Sequence, residues 1–123
     1  MIFIREEKKT MNASDFNQLV ISRMAKCEDV LCKKAEEYST EDDRLHNFKV
    51  AGRARGISPV KALDGMMTKH LVSMWDIIEQ MDTEENYIPS RELVTEKLGD
   101  VLNYILLLEG LIEDRRSAVE EAS

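Results

Sequence analysis

The chain's two prolines, Pro59 and Pro89, fall at the edges of long stretches that nothing else breaks, and with five glycines they leave most of the 123 residues free for helix. Proline inside a helix removes a hydrogen bond and clashes with the preceding turn, so its placement marks where helices can run. Apolar residues recur every three or four positions, and the strict alternation of a strand is almost absent. A fold built from packed helices follows.

The first helix is expected to start near Asn12 or Ser14, either of which can cap it, and to end around Ser39. Its apolar stripe is Phe16, Val20, Met24, Cys27, Leu31, Ala35 and Tyr38. A polar connection from Ser39 to Arg44 leads to a short helix over Leu45 to Ala54, closed by Gly56. Ser58 as cap with Pro59 at the first helical position starts the second long helix, which carries Val60, Leu63, Met67, Leu71, Met74 and Ile78 on one face and ends near Asp82. After a loop from Thr83 to Pro89, Ser90 caps a third long helix, with Glu92 complementing the dipole of its first turn. That helix is expected to reach at least Asp114, with fraying over 115–123 and over 1–11. The expectation is one all-α domain over residues 1–123, a helical bundle of three long helices and one short one, completed by oligomerisation.

Charge narrows the function classes. Seventeen Lys and Arg against twenty-four Asp and Glu give a net charge of −7. That argues against an electrostatic grip on a nucleic-acid polymer or an anionic membrane, but not against a phosphate ligand bridged by a divalent cation. No apolar run approaches the roughly 20 residues a bilayer span needs. The N-terminal stretch, Met1 to Glu7, lacks the basic start and apolar core of a signal peptide, so a cytoplasmic location is expected. Cys27 and Cys32 lie in one helix without a second Cys or His pair to complete a zinc set, and are expected to be reduced and buried.

The third long helix has an unusual second face. Val94, Leu98, Val101, Leu102, Ile105 and Ile112 fall on one side, where a core is expected. Glu96, Asp100, Asn103 and Leu107 follow at i, i+4, i+7 and i+11 on roughly the opposite side, flanked by Leu93, Tyr104 and Leu111. From Val101 to Ile112 the helix is apolar nearly all round, so both faces are expected to be covered. An acid and an amide on a covered face need partners. On the second long helix, Lys69, Ser73 and Asp76 line up away from Met67 and Met74, while His70 sits on the apolar face as a satisfied core histidine. Glu37 borders the stripe of the first helix. Carboxylates converging from separate helices suit Mg²⁺, a hard cation that takes oxygen ligands. By periodicity alone, these same acids also read as a solvated charged stripe.

Four motifs occur in order: Lys34-Ala35-Glu36-Glu37-Tyr38, Asp43-Arg44-Leu45-His46-Asn47-Phe48, Met67-Thr68-Lys69-His70, and Glu96-Lys97-Leu98-Gly99-Asp100-Val101-Leu102-Asn103-Tyr104. Together they resemble phage and prophage proteins of the MazG-like group, within the all-α nucleoside triphosphate pyrophosphohydrolase superfamily and close to its nucleotide modification associated branch. The resemblance implies a Mg²⁺-dependent hydrolase that converts a (deoxy)nucleoside triphosphate to the monophosphate and pyrophosphate. It implies metal ligation by Glu36, Glu37, Glu96 and Asp100, with Glu37, Lys69, Glu96 and Asp100 as the catalytic set. It further implies substrate contacts from Arg44, Asn47, Lys69, Asn103 and Tyr104. Two positions depart from the family pattern: Thr40 replaces the second acid of a Glu-x-x-Glu, and Lys97 stands where the late motif carries an acid. A nucleotide-binding protein without turnover, and an oligomeric interaction module, are the alternatives that these departures and the second faces leave open.

Overall fold

Side-chain caps set the starts of the three long helices. The Asn12 carboxamide accepts the backbone N–H of Asp15 at 2.8 Å, the Ser58 hydroxyl that of Lys61 at 3.2 Å, and the Ser90 hydroxyl that of Leu93 at 3.1 Å. Each satisfies an otherwise orphaned donor, a contribution of about 1 kcal/mol. The computed structural model describes residues 10–34 and 42–123. Within them the chain forms α1 (Ala13–Glu28), α2 (His46–Arg55), α3 (Pro59–Thr83) and α4 (Arg91–Ala122), with no strand among the described residues. The fold is all-α, as the periodicity indicates.

The element boundaries follow local chemistry. α1 runs into a π-helical segment, Asp29–Lys34; the expected end at Ser39 lies outside the described residues. α2 stops at Gly56, which takes a left-handed conformation at φ 67° and returns its N–H to the carbonyls of Gly52 and Arg53. α4 extends as helix to Ala122, through the polar tail expected to fray. No helix among the described residues is long and apolar enough to cross a membrane.

α3 packs on both α2 and α4, and α1 packs chiefly on α4. The main core lies where α2, α3 and α4 meet: Phe48, Leu63 and Leu111 are buried, with Leu45, Met67, Tyr104 and Leu107 packed against them. Leu63, 1% exposed, is its most enclosed large side chain. The short helix therefore completes the core instead of merely linking its neighbours. Lys49 fastens it to the far end of α4, its ammonium lying 3.0 Å from Asp43 and 3.3 Å from Asp114.

The burial corrects several expectations. On α4, Leu111 is buried while Ile105 and Ile112 are exposed. α3 meets α4 on the side of Asp100, Tyr104, Leu107 and Leu111, the side that periodicity assigns as the second face. On α3, Ile77 is buried in place of Ile78, because a helix of 3.6 residues per turn drifts about 20° per heptad against a fixed stripe. On α1 the buried residue is Cys27, whereas Phe16, Val20 and Met24 of the expected core stripe are exposed in the single chain. Cys32 is exposed, not buried; both thiols are free.

Candidate functional site

α4 is approached from two sides, and the polar residues at its N-terminal half fall on the border between them. Gly99 faces α1 with no side chain. A Cβ there would lie 3.2 Å from Nη1 of Arg23, a tight contact that glycine spares the guanidinium. Arg23 donates through that nitrogen to the Thr95 carbonyl oxygen at 3.3 Å. Beside this contact lies a cavity of about 220 Å³. Arg23, Lys26, Cys27 and Val30 form one wall; Thr95, Glu96, Gly99, Asp100 and Asn103 form the other.

Asp100 stands at the seam of three helices. It lines the cavity shared with α1, and its Oδ2 lies 3.3 Å from Nδ1 of His70 on α3. The His70 ring in turn lies against Tyr104, centroids 4.9 Å apart at 31°, and Tyr104 meets the edge of Phe48 at 6.4 Å and 73°. Burial, and then the charge of Asp100, holds the Tyr104 hydroxyl above its usual pKa. His70 is thus a partnered, half-buried histidine, as expected, and its partner is the acid at the centre of the late motif.

The other expected residues divide. Glu96, Asp100 and Asn103 come together on one wall of the cavity. The Asn103 Oδ1 is buried with no hydrogen-bond partner among the described residues, and an amide oxygen in that state calls for a donor or a cation. Glu96 is exposed, with the Lys97 ammonium 3.4 Å away. Tyr104 packs into the core instead of lining the cavity. Lys69 is exposed on α3, outside the cavity wall. Arg44 and Asn47 belong to the other end of α4: Leu45, between them in sequence, packs 3.6 Å from the Cβ position of Gly110. Ten residues of helix, about 15 Å, separate that point from Asp100. Glu36 and Glu37 lie outside the described residues.

Arg23 and Lys26 were missed by sequence reasoning. Basic residues flanking the stripe of an amphipathic helix look solvated, and the available clue was Gly99, a helix-interior glycine that costs about 1 kcal/mol relative to alanine unless something approaches it closely.

The wall formed by Glu96, Asp100 and Asn103 offers oxygen donors alone, which is the ligand chemistry of Mg²⁺. The unpaired Asn103 oxygen fits such an ion. Among the described residues no group of three or more His, Cys, Asp or Glu side chains converges, so a full protein ligand set there needs a further acid. Comparison with known proteins finds no matching family model, no matching curated protein and no matching solved structure.

Proposed function

We propose that the chain is a Mg²⁺-dependent nucleotide pyrophosphohydrolase, a hydrolase acting on a (deoxy)nucleoside triphosphate in phage or prophage nucleotide metabolism. Water adds to the first phosphate, the bond to the second breaks, and monophosphate and pyrophosphate leave. The observation that carries this reading is the polar wall of the α1–α4 cavity, lined by Asp100, Glu96 and Asn103, with the Asn103 Oδ1 buried and without a hydrogen-bond partner among the described residues.

Glu96, Asp100 and Asn103 would hold the ion, with Glu36 and Glu37 as the expected remaining acids. The bound ion supplies charge neutralisation of the phosphates and activation of water. Phosphoryl transfer asks the protein mainly for positioning and electrostatic stabilisation, so fixed acids and bases suffice without a covalent nucleophile. His70 restrains the Asp100 carboxylate from the α3 side. A carboxylate not engaged with the ion accepts the proton of the attacking water. Lys69 retains its proposed role at the phosphates on the resemblance alone.

A specific contact favours a second reading, a nucleotide-binding protein without turnover. The Lys97 ammonium lies against Glu96, one turn before Asp100, and places a positive charge where the family pattern carries an acid. We also propose a homodimer or higher homo-oligomer. The exposed Leu19, Ile21 and Met24 on α1 and Trp75 on α3 support it, since such apolar area on one chain is what an interface covers. Pyrophosphate release from nucleoside triphosphates with Mg²⁺, measured for the wild type and Asp100→Ala, tests the enzyme reading. Turnover by the wild type and none by the folded variant is expected; equal rates would sink the assignment.

A further inference from the structure

Two cations and two carboxylates line the same small cavity without pairing with one another. Asp100 is engaged with His70 and Glu96 with Lys97. Arg23 and Lys26 face them from α1, and neither forms an ion pair among the described residues. In a chain of net charge −7, these two bases share one cavity and leave their charge open to a ligand. We infer that Arg23 and Lys26 are the anion-binding wall of this cavity and take the phosphate oxygens of a cation-bound di- or triphosphate. The inference rests on the proposed function, in which the opposite wall holds the cation.

The geometry suits that ligand. The Arg23 guanidinium is half-buried and anchored by one bond to the Thr95 carbonyl, in the space Gly99 leaves open. Guanidinium carries five N–H donors, so an anchored Arg23 keeps donors to present to phosphate at little further ordering cost. Lys26 is exposed and adds a mobile point charge beside it. The cavity, about 220 Å³, is smaller than the roughly 300–1,000 Å³ of pockets that enclose a whole small molecule. It therefore takes the phosphate end and leaves sugar and base outside. An acid wall on α4 and a basic wall on α1 then grip one ligand by both signs: the cation from one side, the phosphate oxygens from the other.

Calorimetric titration of the full chain with inorganic pyrophosphate in the presence of Mg²⁺ tests the assignment. Wild type is expected to bind. Lys26→Gln, at an exposed position that leaves the fold alone, and Arg23→Gln should each weaken binding by about tenfold or more. Arg23→Lys should recover part of the loss, and Lys61→Gln, remote on α3, should bind like wild type. Undiminished binding by Lys26→Gln and Arg23→Gln, with binding abolished in Asp100→Asn, would overturn the basic wall and leave the cation wall standing. An equal loss in Lys61→Gln would reduce the effect to net charge and overturn it too. No binding by the wild type would overturn both the wall and the function it rests on.

Discussion

Nδ1 of His70 lies 3.3 Å from Oδ2 of Asp100, joining the middle of α3 to the acid that also lines the α1–α4 cavity. Asp100 keeps 37% of its side chain exposed while His70 keeps 18%, so the histidine is the more enclosed partner. Losing the carboxylate charge is then tolerated better than losing the ring. Asp100→Asn should remain folded, within about 1 kcal/mol of wild type by urea denaturation. His70→Ala should cost about 2 kcal/mol, because it removes both this contact and the ring packed on Tyr104. An Asp100→Asn protein that fails to fold would assign the acid a structural role.

The core prediction concerns Leu63, enclosed where α2, α3 and α4 meet. Leu63→Ala removes buried methylenes and leaves a void, at an expected cost of about 3 kcal/mol. Thermal melting of the variant checks it, and a loss under 1 kcal/mol would mean that α2 does not pack as described.

Lys49 gives the acid limb of stability. Its ammonium, hydrogen-bonded to Asp43 at 3.0 Å, holds that carboxyl below its ordinary value of 3.8, and the same bond holds Lys49 above 10.5. The Asp43 contribution is therefore complete above its ordinary value and fades as pH falls through the lower folded value. The Lys49 contribution is complete below 10.5 and fades as pH rises through the higher folded value. Lys49→Met should cost about 1 kcal/mol at neutral pH. Its stability curve should converge with that of wild type in strong acid; a difference that stays constant below pH 3 would assign the loss to packing of the lysine stem.

The exposed apolar residues of α1 predict self-association. Ile21 is 61% exposed and Leu19 49%, on a helix whose buried residue is Cys27. Light scattering should give a mass above the 14.2 kDa of one chain, and Ile21→Asp should lower it towards that value without lowering the helix content. A wild-type protein that runs as a monomer at all concentrations contradicts this.

The starts of the three long helices were legible because Asn12, Ser58 and Ser90 cap them through local hydrogen bonds. The choice of buried face on α4 was not. From Val101 to Ile112 that helix is apolar nearly all round, and whether Leu111 or Ile112 goes inward depends on where α3 arrives. The polar trio of Glu96, Asp100 and Asn103 was legible as a set, since its spacing is a property of one helix. Its surroundings were not: His70 reaches Asp100 from α3, and Arg23, 77 positions earlier in the chain, faces it across the cavity from α1. Tertiary approach, not periodicity, brings those residues together.

The most direct measurement of the central claim is the melting temperature of wild type and Asp100→Asn across nucleoside triphosphates, with and without Mg²⁺. A ligand that binds the folded state at a hundred times its Kd stabilises it by about 2.7 kcal/mol, well within the resolution of such a screen. At least one nucleotide is expected to raise the wild-type melting temperature only when Mg²⁺ is present, and the rise should vanish in Asp100→Asn. A panel in which no nucleotide shifts the wild type, or in which the shift survives without Mg²⁺ and without the Asp100 carboxylate, would contradict it.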